Sequence, residues 1–249
     1  MAELIYGETY DVSKVRRVVA EINDSPRKLL MNRQPGIARA RGMIDQGQIQ
    51  NFVSARDIVI DIGTGRGHVT ELLQEQTGAR IYTSDLEDLR TNDTKKDQSF
   101  FIANGRKMPL ADQSVDVVLM LDLLHHCLRQ EELLGEAYRV LRPAGRLVLL
   151  EDTIPEVSNP LLRRILKTVV GVEDTILNFQ SLGTNPHNLH TISDWQQIIS
   201  QVGFNQNVDT KFWYWGPVDF IPGLNKIPNE QKLTPLRFFE STRFVAFKD

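Results

Sequence analysis

Ile58-Val59-Ile60-Asp61-Ile62-Gly63-Thr64-Gly65-Arg66-Gly67-His68 is the stretch that decides the fold of this 249-residue chain. Its β-branched start reads as a buried strand, and a helical pattern opens at His68 and runs to Gln76. The three glycines between them carry no Cβ, so the turn can be tight and a ligand can come close to the backbone. The helix start behind the turn has N–H groups without intrahelical partners. A strand, a glycine turn and a helix in this order form a unit that binds nucleotide-like ligands, although some purely structural turns share it.

Working outward, Gly78 can end the helix with positive φ, and Arg80 to Thr83 reads as a second strand. Phe100 to Ile102 and Val115 to Met120 read as a third and a fourth. Glu131 to Leu141 is an amphipathic helix with Leu133, Leu134, Ala137, Val140 and Leu141 on one face. Arg142-Pro143-Ala144-Gly145 stops it, and a fifth strand follows at Arg146 to Leu150. Strands joined by helical crossovers pair in parallel and need helices on both faces, which predicts a doubly wound α/β sheet. Beyond Pro155, a helix is expected over Asn159 to Val170 and a polar stretch up to His190. A capping box is expected at Ser193-Asp194-Trp195-Gln196, opening a helix that ends at Gly203. Phe204 to Trp215 and Arg243 to Phe247 read as final strands, separated by a Pro-rich insertion from Gly216 to Glu240.

The ligand class can be narrowed from spacing. Asp85 ends the second strand, 24 residues after Asp61, where a carboxylate can accept from both hydroxyls of a ribose or simply cap the next turn. The glycines follow G-x-G-x-G, not the G-x-G-x-x-G of a dinucleotide site. No G-x-x-x-x-G-K-[ST] loop is present to hold a triphosphate. An adenosine without a long phosphate chain is the ligand these features describe.

Five stretches in order resemble the class I S-adenosylmethionine-dependent methyltransferases. Asp61 to Gly67 matches the glycine-rich first motif, and Thr83-Ser84-Asp85-Leu86 the acidic end of the second strand. Ala103-Asn104-Gly105-Arg106-Lys107-Met108-Pro109-Leu110 is similar to the "GDAxxLPF" stretch, and Ser114-Val115-Asp116-Val117-Val118 to "SFDVV". Tyr138 to Leu147 is similar to "xRVLKPGGxL". The resemblance runs from about Asp57 to Glu151 and more loosely to Phe204. It implies a Rossmann-like, mostly parallel seven-stranded sheet with helices on both faces and helical caps, using S-adenosyl-L-methionine and releasing S-adenosyl-L-homocysteine. It further implies that Gly63, Thr64, Gly65 and Gly67 line the methionine and ribose part. Asp61 would hold the loop and the amino group, Asp85 the ribose, and Leu86 would pack on the adenine. Asn104 and Gly105 would read the adenine edge, and Leu121 would border the cofactor. Two positions depart from the family pattern. Asn104 stands where the family usually has aspartate, though its carbonyl oxygen can still accept, and Ala144 replaces the first glycine of the Pro-Gly-Gly turn.

Methyl transfer from a sulfonium is an in-line displacement, and a general base is needed only when the nucleophile must lose a proton. His125 and His126, after the fourth strand, are the candidate catalytic bases, and adjacent residues of a helical turn cannot both face one pocket. Asp122 and Glu151 end strands four and five, where each can touch an acceptor or cap a turn. Cys127 reads as a small buried apolar residue, His187 and His190 as surface loop residues, and His68 as a local packing or rim residue. No metal site is expected.

The acceptor class follows mainly from exclusions. Met120-Leu121-Asp122-Leu123 stands where base-amino methyltransferases carry an Asn/Asp-Pro-Pro-aromatic tetrapeptide, and no Pro-Cys pair is present to attack a pyrimidine. With 29 basic and 32 acidic residues the net charge is −3, which gives no electrostatic reason to expect nucleic-acid or anionic-membrane binding. One cysteine and the absence of any apolar run of membrane-spanning length point to a cytoplasmic protein without membrane insertion. The aromatic run Phe212-Trp213-Tyr214-Trp215 suits either a strand in the core or a wall closing over an apolar small molecule. A small-molecule acceptor methylated on oxygen or carbon is therefore the expectation. Leu147 to Asp152 and Asn159 to Leu162 resemble the quinone-ring C-methyltransferases of the family. An RNA or protein methyltransferase using the basic residues Arg27, Lys28, Arg33, Arg39 and Arg41 is one alternative, and a non-catalytic S-adenosylmethionine-binding protein is another. The expected organisation is effectively one domain. It has an N-terminal helical cap at 1–56 and a methyltransferase domain at 57–249, with its cofactor core at 57–151 and acceptor-side insertions at 155–190 and 216–240.

Overall fold

The computed structural model describes residues 34–45, 47–90, 99–177, 188–205, 209–215 and 239–249. The expected helices before residue 34, the cations Arg27, Lys28 and Arg33, His187 and most of the Pro-rich insertion lie outside those residues. So do the side chains of Arg39 and of Phe212 to Trp215.

The parallel pairing expected from the alternation of strands and helices is present. The elements are α1 (Gln34–Asp45), β1 (Ile58–Ile62), α2 (His68–Thr77), β2 (Arg80–Asp85), β3 (Ser99–Ile102) and β4 (Val115–Leu121). They continue with α3 (Gln130–Val140), β5 (Leu141–Thr153), α4 (Pro160–Leu177), α5 (Ile192–Val202), β6 (Asp209–Trp215) and β7 (Phe239–Phe247). The seven strands form one sheet in the order β3-β2-β1-β4-β5-β7-β6. Strands β1 to β5 pair in parallel, whereas β7 is antiparallel to both β5 and β6. The order reverses between β1 and β4, and in an open α/β sheet the crevice beyond the strand ends at such a point is where ligands bind.

Strand alternation sorts the core into two layers. On one face Ile60, Ile62, Val118, Met120, Leu147 and Leu149 pack against α3 residues Leu133, Leu134 and Ala137 and α5 residues Trp195 and Ile199. On the other, Val59, Ile81, Val117, Leu119 and Val148 pack against Met43 and Ile44 of α1 and Leu73 of α2. Each of these large side chains taken fully from water stabilises the fold by roughly 1.5–3 kcal/mol.

Several boundaries differ from expectation for local reasons. Strand β5 begins at Leu141, directly after α3, and Arg142 to Gly145 form an irregularity across which the β4–β5 register jumps from Val115↔Leu141 to Val117↔Arg146. Ala144 within it has φ +59°, the left-handed conformation that a glycine would take without strain. At its far end β5 continues to Thr153, because Glu151, Asp152 and Thr153 pair with Thr242, Ser241 and Glu240 of β7. Helix α4 extends to Leu177, past the expected end at Val170, and is capped by Asn159, whose Oδ1 accepts from Leu161 N (2.9 Å) and Leu162 N (3.1 Å). The capping box of α5 lies two residues earlier than expected. Thr191 Oγ1 accepts from Asp194 N at 3.2 Å and Asp194 Oδ2 accepts from Thr191 N at 3.1 Å, while Ser193 donates to Glu156. Final strand β6 starts at Asp209, after Phe204 has packed edge-on against Tyr138 in the core. Among the described residues no helix is long and apolar enough to cross a membrane, and no group of acidic, histidine and cysteine residues could hold a metal ion.

Candidate functional site

The carboxyl ends of β1, β2 and β4 open into a cleft. Its walls come from Ile62 and Gly63 after β1, Ser84 to Leu86 after β2, Ala103 to Arg106 after β3, and Leu123, Cys127, Arg129 and Leu133 on the β4–α3 side. Of the residues expected at the cofactor, Gly63, Asp85, Leu86, Asn104 and Gly105 line this cleft, whereas Asp61, Thr64, Gly65 and Gly67 are not among its lining residues.

The glycine turn is shaped by its φ values, +78° at Gly63, +55° at Gly65 and +77° at Gly67, which a side chain would strain. Gly63 is also crowded, since a Cβ there would lie 2.7 Å from Leu123 Cδ1. At Gly105 the constraint is packing, because a Cβ would meet Leu133 Cδ1 at 2.7 Å and Ile62 Cγ2 at 2.9 Å. Gly67 sits at the start of α2, and Gly65, with nothing within 4 Å of a Cβ position, faces open space.

Two carboxylates hold this turn. Asp85 Oδ2 accepts from Gly65 N at 2.9 Å and its Oδ1 from Leu86 N at 2.7 Å, and the Glu87 backbone N–H also bonds this carboxylate. Burial raises its pKa, against the lowering effect of the backbone bonds from Gly65, Leu86 and Glu87. Asp61 lies beneath the turn at 2 % exposure, with Oδ2 accepting from the buried Thr70 hydroxyl and Thr70 Oγ1 lying 3.3 Å from Thr64 Oγ1. Desolvation pushes the Asp61 carboxyl up to about 6, with a smaller upward contribution from the Asp85 charge. Its Oδ1 has no hydrogen-bond partner among the described residues. Thr70 was not singled out from the sequence, since a threonine in the first turn of a helix has no distinguishing pattern.

Asn104 lines the cleft with Oδ1 accepting from Arg106 N at 3.0 Å, a turn-capping bond that leaves its remaining lone pair and amide N–H groups. Leu121 does not line the cleft. It packs with the layer containing Val59 and Leu73, and Leu123, two residues on, occupies the space beside Gly63.

Neither candidate histidine lines the cleft. His125 is 1 % exposed, and its Nδ1 lies 2.5 Å from Glu151 Oε2. The half-buried His126 lies against it with ring centroids 3.9 Å apart and the planes tilted by 53°. Glu151, fully buried, also accepts from the backbone N–H groups of Leu123, Leu124 and His125. Asp122, at φ +54°, ends β4 and donates its N–H to Leu150 O. Cys127 does reach the cleft, but burial, reinforced by the Glu151 charge, pushes its thiol up to about 12, far from a thiolate at neutral pH. His190 is packed rather than loose: Nε2 lies 2.8 Å from Gln130 Oε1, the ring meets Trp195 edge-on, and burial, then the Lys167 charge, lowers its pKa. On the rim Glu132 pairs with both Arg106 (3.0 Å) and Arg129 (2.8 Å); the Arg129 pair is local, and the Arg106 tie was not signalled because its members lie 26 positions apart.

The cleft is lined by the Asp85 carboxylate and by apolar walls from Ile62, Leu86 and Leu133, and the unpartnered Oδ1 of Asp61 lies buried beneath the glycine turn. Such a set fits a ligand with a ribose, a flat apolar base and an ammonium group. Residues 60–149 match the family model described as "Methyltransferase domain". The chain is 28% identical over 179 residues to a demethylmenaquinone methyltransferase of Tropheryma whipplei, covering 67% of this chain and 73% of that protein. Matches to several other curated methyltransferases cover 40–49% of their length. In fold the chain is similar to the YcgJ protein of Bacillus subtilis, with a TM-score of 0.61, 14% identity, and coverage of 85% of this chain and 98% of that one. It is also similar to a Haemonchus contortus phosphoethanolamine N-methyltransferase in complex with S-adenosyl-L-methionine, with a TM-score of 0.57, 14% identity, and coverage of 82% and 52%. Over residues 60–149 the chain thus matches a methyltransferase domain, and its fold is similar to that of S-adenosylmethionine-dependent methyltransferases.

Proposed function

We propose that this enzyme transfers the methyl group of S-adenosylmethionine to a small-molecule acceptor, on oxygen or carbon. The observation that carries this reading is the meeting of Gly63, Asp85, Asn104 and Gly105 in one cleft at the strand ends where the sheet order reverses. In this assignment Asp85 accepts from the ribose hydroxyls while keeping its bond from Gly65 N. Ile62, Leu86 and Leu133 flank the adenine, and the Gly105 backbone together with Asn104 reads its edge. Asp61, through its unpartnered Oδ1, favours the ammonium end of the methionine part, and Thr70 and Thr64 keep the turn above it in place. Bound there, the cofactor supplies an activated methyl group on sulfur.

The chain's own contribution to the chemistry is positioning. Holding donor and acceptor in line can supply roughly 7–11 kcal/mol without any proton transfer. His125, with its Nδ1 against Glu151, is not assigned as a base, and His126 lies away from the cleft lining. The small-molecule assignment draws support from the demethylmenaquinone methyltransferase to which the chain is similar and from the balanced net charge of −3. The choice of oxygen or carbon rests on Met120-Leu121-Asp122-Leu123 replacing the tetrapeptide that holds an exocyclic amine. Residues 1–56 and the segments 155–190 and 216–240 are assigned to the acceptor side, around the cofactor core at 57–151. The test is transfer of labelled methyl from S-adenosylmethionine to small-molecule, RNA and protein fractions. Label in small metabolites is the expected result, and label confined to RNA or protein would overturn the acceptor assignment.

A further inference from the structure

We propose that Glu151 is a positioning residue for the cofactor cleft, shaping it through the turn that follows β4; this rests on the reading of the cleft as the S-adenosylmethionine site. The turn starts at Asp122, whose φ of +54° swings the chain sharply out of the sheet, and continues into a single 3-10 turn at Leu124–His126. Such a start presents consecutive N–H groups that no helical carbonyl serves. Its N-cap residue, Leu123, has no side chain that can cap it. Glu151 reaches it from the neighbouring strand instead. The β4–β5 register pairs Leu121 with Leu150, so the next residue of β5 arrives directly beneath the turn. Its Oε1 accepts from Leu123 N at 3.0 Å and Leu124 N at 2.6 Å. Its Oε2 accepts from His125 N at 3.2 Å and lies 2.5 Å from His125 Nδ1, the proton-bearing nitrogen in this pairing.

A carboxylate at 0 % exposure carries a large desolvation cost, and four donors aimed at its two oxygens are what offsets it. The same four bonds pin the turn. Asn188 pins it from the opposite side, donating its backbone N–H to His125 O (2.8 Å) and its Nδ2 to Cys127 O (2.7 Å). The output is Leu123, the first residue whose amide Glu151 holds. Its side chain lines the cleft and occupies the space that a side chain on residue 63 would fill. Glu151 thus acts on the glycine turn and the cleft wall through Leu123 without touching the cleft itself. Glycine at position 63 and glutamate at position 151 are two halves of one packing arrangement, separated by almost the whole cofactor core.

Calorimetric titration with S-adenosylhomocysteine into wild type, Glu151→Gln, Leu123→Ala and the double variant tests this. Glutamine keeps the volume and the Oε1 acceptor but turns an N–H toward His125 N, so Glu151→Gln is expected to weaken binding about tenfold. Leu123→Ala should weaken it comparably, and the double variant should lose no more than the worse single one, since both act on one contact. Losses that multiply to about 100-fold, or an unchanged affinity in Glu151→Gln, would overturn the proposal. Hydrogen exchange on the wild-type protein without ligand covers the case in which Glu151→Gln does not fold. The Leu123, Leu124 and His125 amides are expected to be protected, and exchange at open-loop rates would overturn the assignment. A wild-type protein that fails to bind S-adenosylhomocysteine but shows that protection would instead refute the cofactor reading.

Discussion

Two carboxylate-held loops face each other across the cleft, and they differ in what their carboxylates still have to offer. On the β1–β2 side, Asp61 keeps one oxygen without a hydrogen-bond partner among the described residues, Asp85 is held by backbone N–H groups, and burial raises the pKa of both. On the β4–β5 side, Glu151 is surrounded by four donors from the turn it holds. Both sides hold buried acids beside a glycine-lined cavity, yet Asp61 is left under-satisfied and Glu151 is saturated. Under-satisfaction marks a place built to receive a ligand's donors, and saturation marks a place built to stay still.

The largest expected effect breaks the first side of this comparison. Asp85→Ala removes the proposed ribose acceptor and the anchor of Gly65 together, and calorimetry should show S-adenosylhomocysteine binding weakened about 100-fold or more. An affinity within a few-fold of wild type would contradict the placement of the ribose.

The second prediction concerns pH and has opposite signs for the empty and the loaded protein. The Asp61 carboxyl titrates near 6 in the fold, against 3.8 for an ordinary aspartate, so the ligand-free fold holds this proton more tightly than the unfolded chain. The stability it lends is therefore complete below about 4 and declines as pH rises through 6, by roughly 3 kcal/mol in all. Cofactor affinity runs the other way, because an ammonium group favours the carboxylate, and should fall up to about tenfold per pH unit below 6. Asp61→Asn should flatten both profiles, as read from denaturant melts and titrations between pH 4.5 and 8. Retention of both slopes in that variant would assign them to another group.

A smaller effect is expected at the adenine edge. Asn104→Asp keeps the cap on Arg106 N and adds a second carboxylate oxygen toward the cleft, so it should tighten cofactor binding about threefold to tenfold. Weaker binding would mean that the amide N–H groups, not the carbonyl oxygen, serve the ligand. The smallest effect lies outside both loops. Ala144→Gly relieves a left-handed alanine and should stabilise the protein by about 1 kcal/mol with methyl transfer unchanged, as measured by urea unfolding and a turnover assay.

Much of this architecture was legible in the chain. The strand starting at Ile58, the glycine turn, the helix from His68 and its end at Gly78 follow from residue type and spacing over a few positions. So does the buried face of α3, where Leu133, Leu134, Ala137 and Val140 recur at helical intervals. Errors fell where two local solutions competed or where a distant partner decided. Thr191 and Ser193 are both sound caps, and Thr191 takes the role because Glu156 engages Ser193. Strand β5 outruns its apolar core because β7 pairs with Glu151 to Thr153. Leu121 and Leu123 are indistinguishable by composition, and only the sharp turn at Asp122 sends the second one to the cleft.

By itself, then, the sequence determined the sheet, the turn and the class of ligand, because positive φ, helix ends and strand alternation are set by neighbours within a few residues. Tertiary structure alone decided which side chains remain available for chemistry. His125 and Glu151 looked like a base and an acceptor contact until the sheet brought them together, 26 positions apart in sequence, and each became the other's partner. Availability is what remains after every hydrogen bond has been made, and most of the bonds that decide it here join residues that the chain keeps far apart.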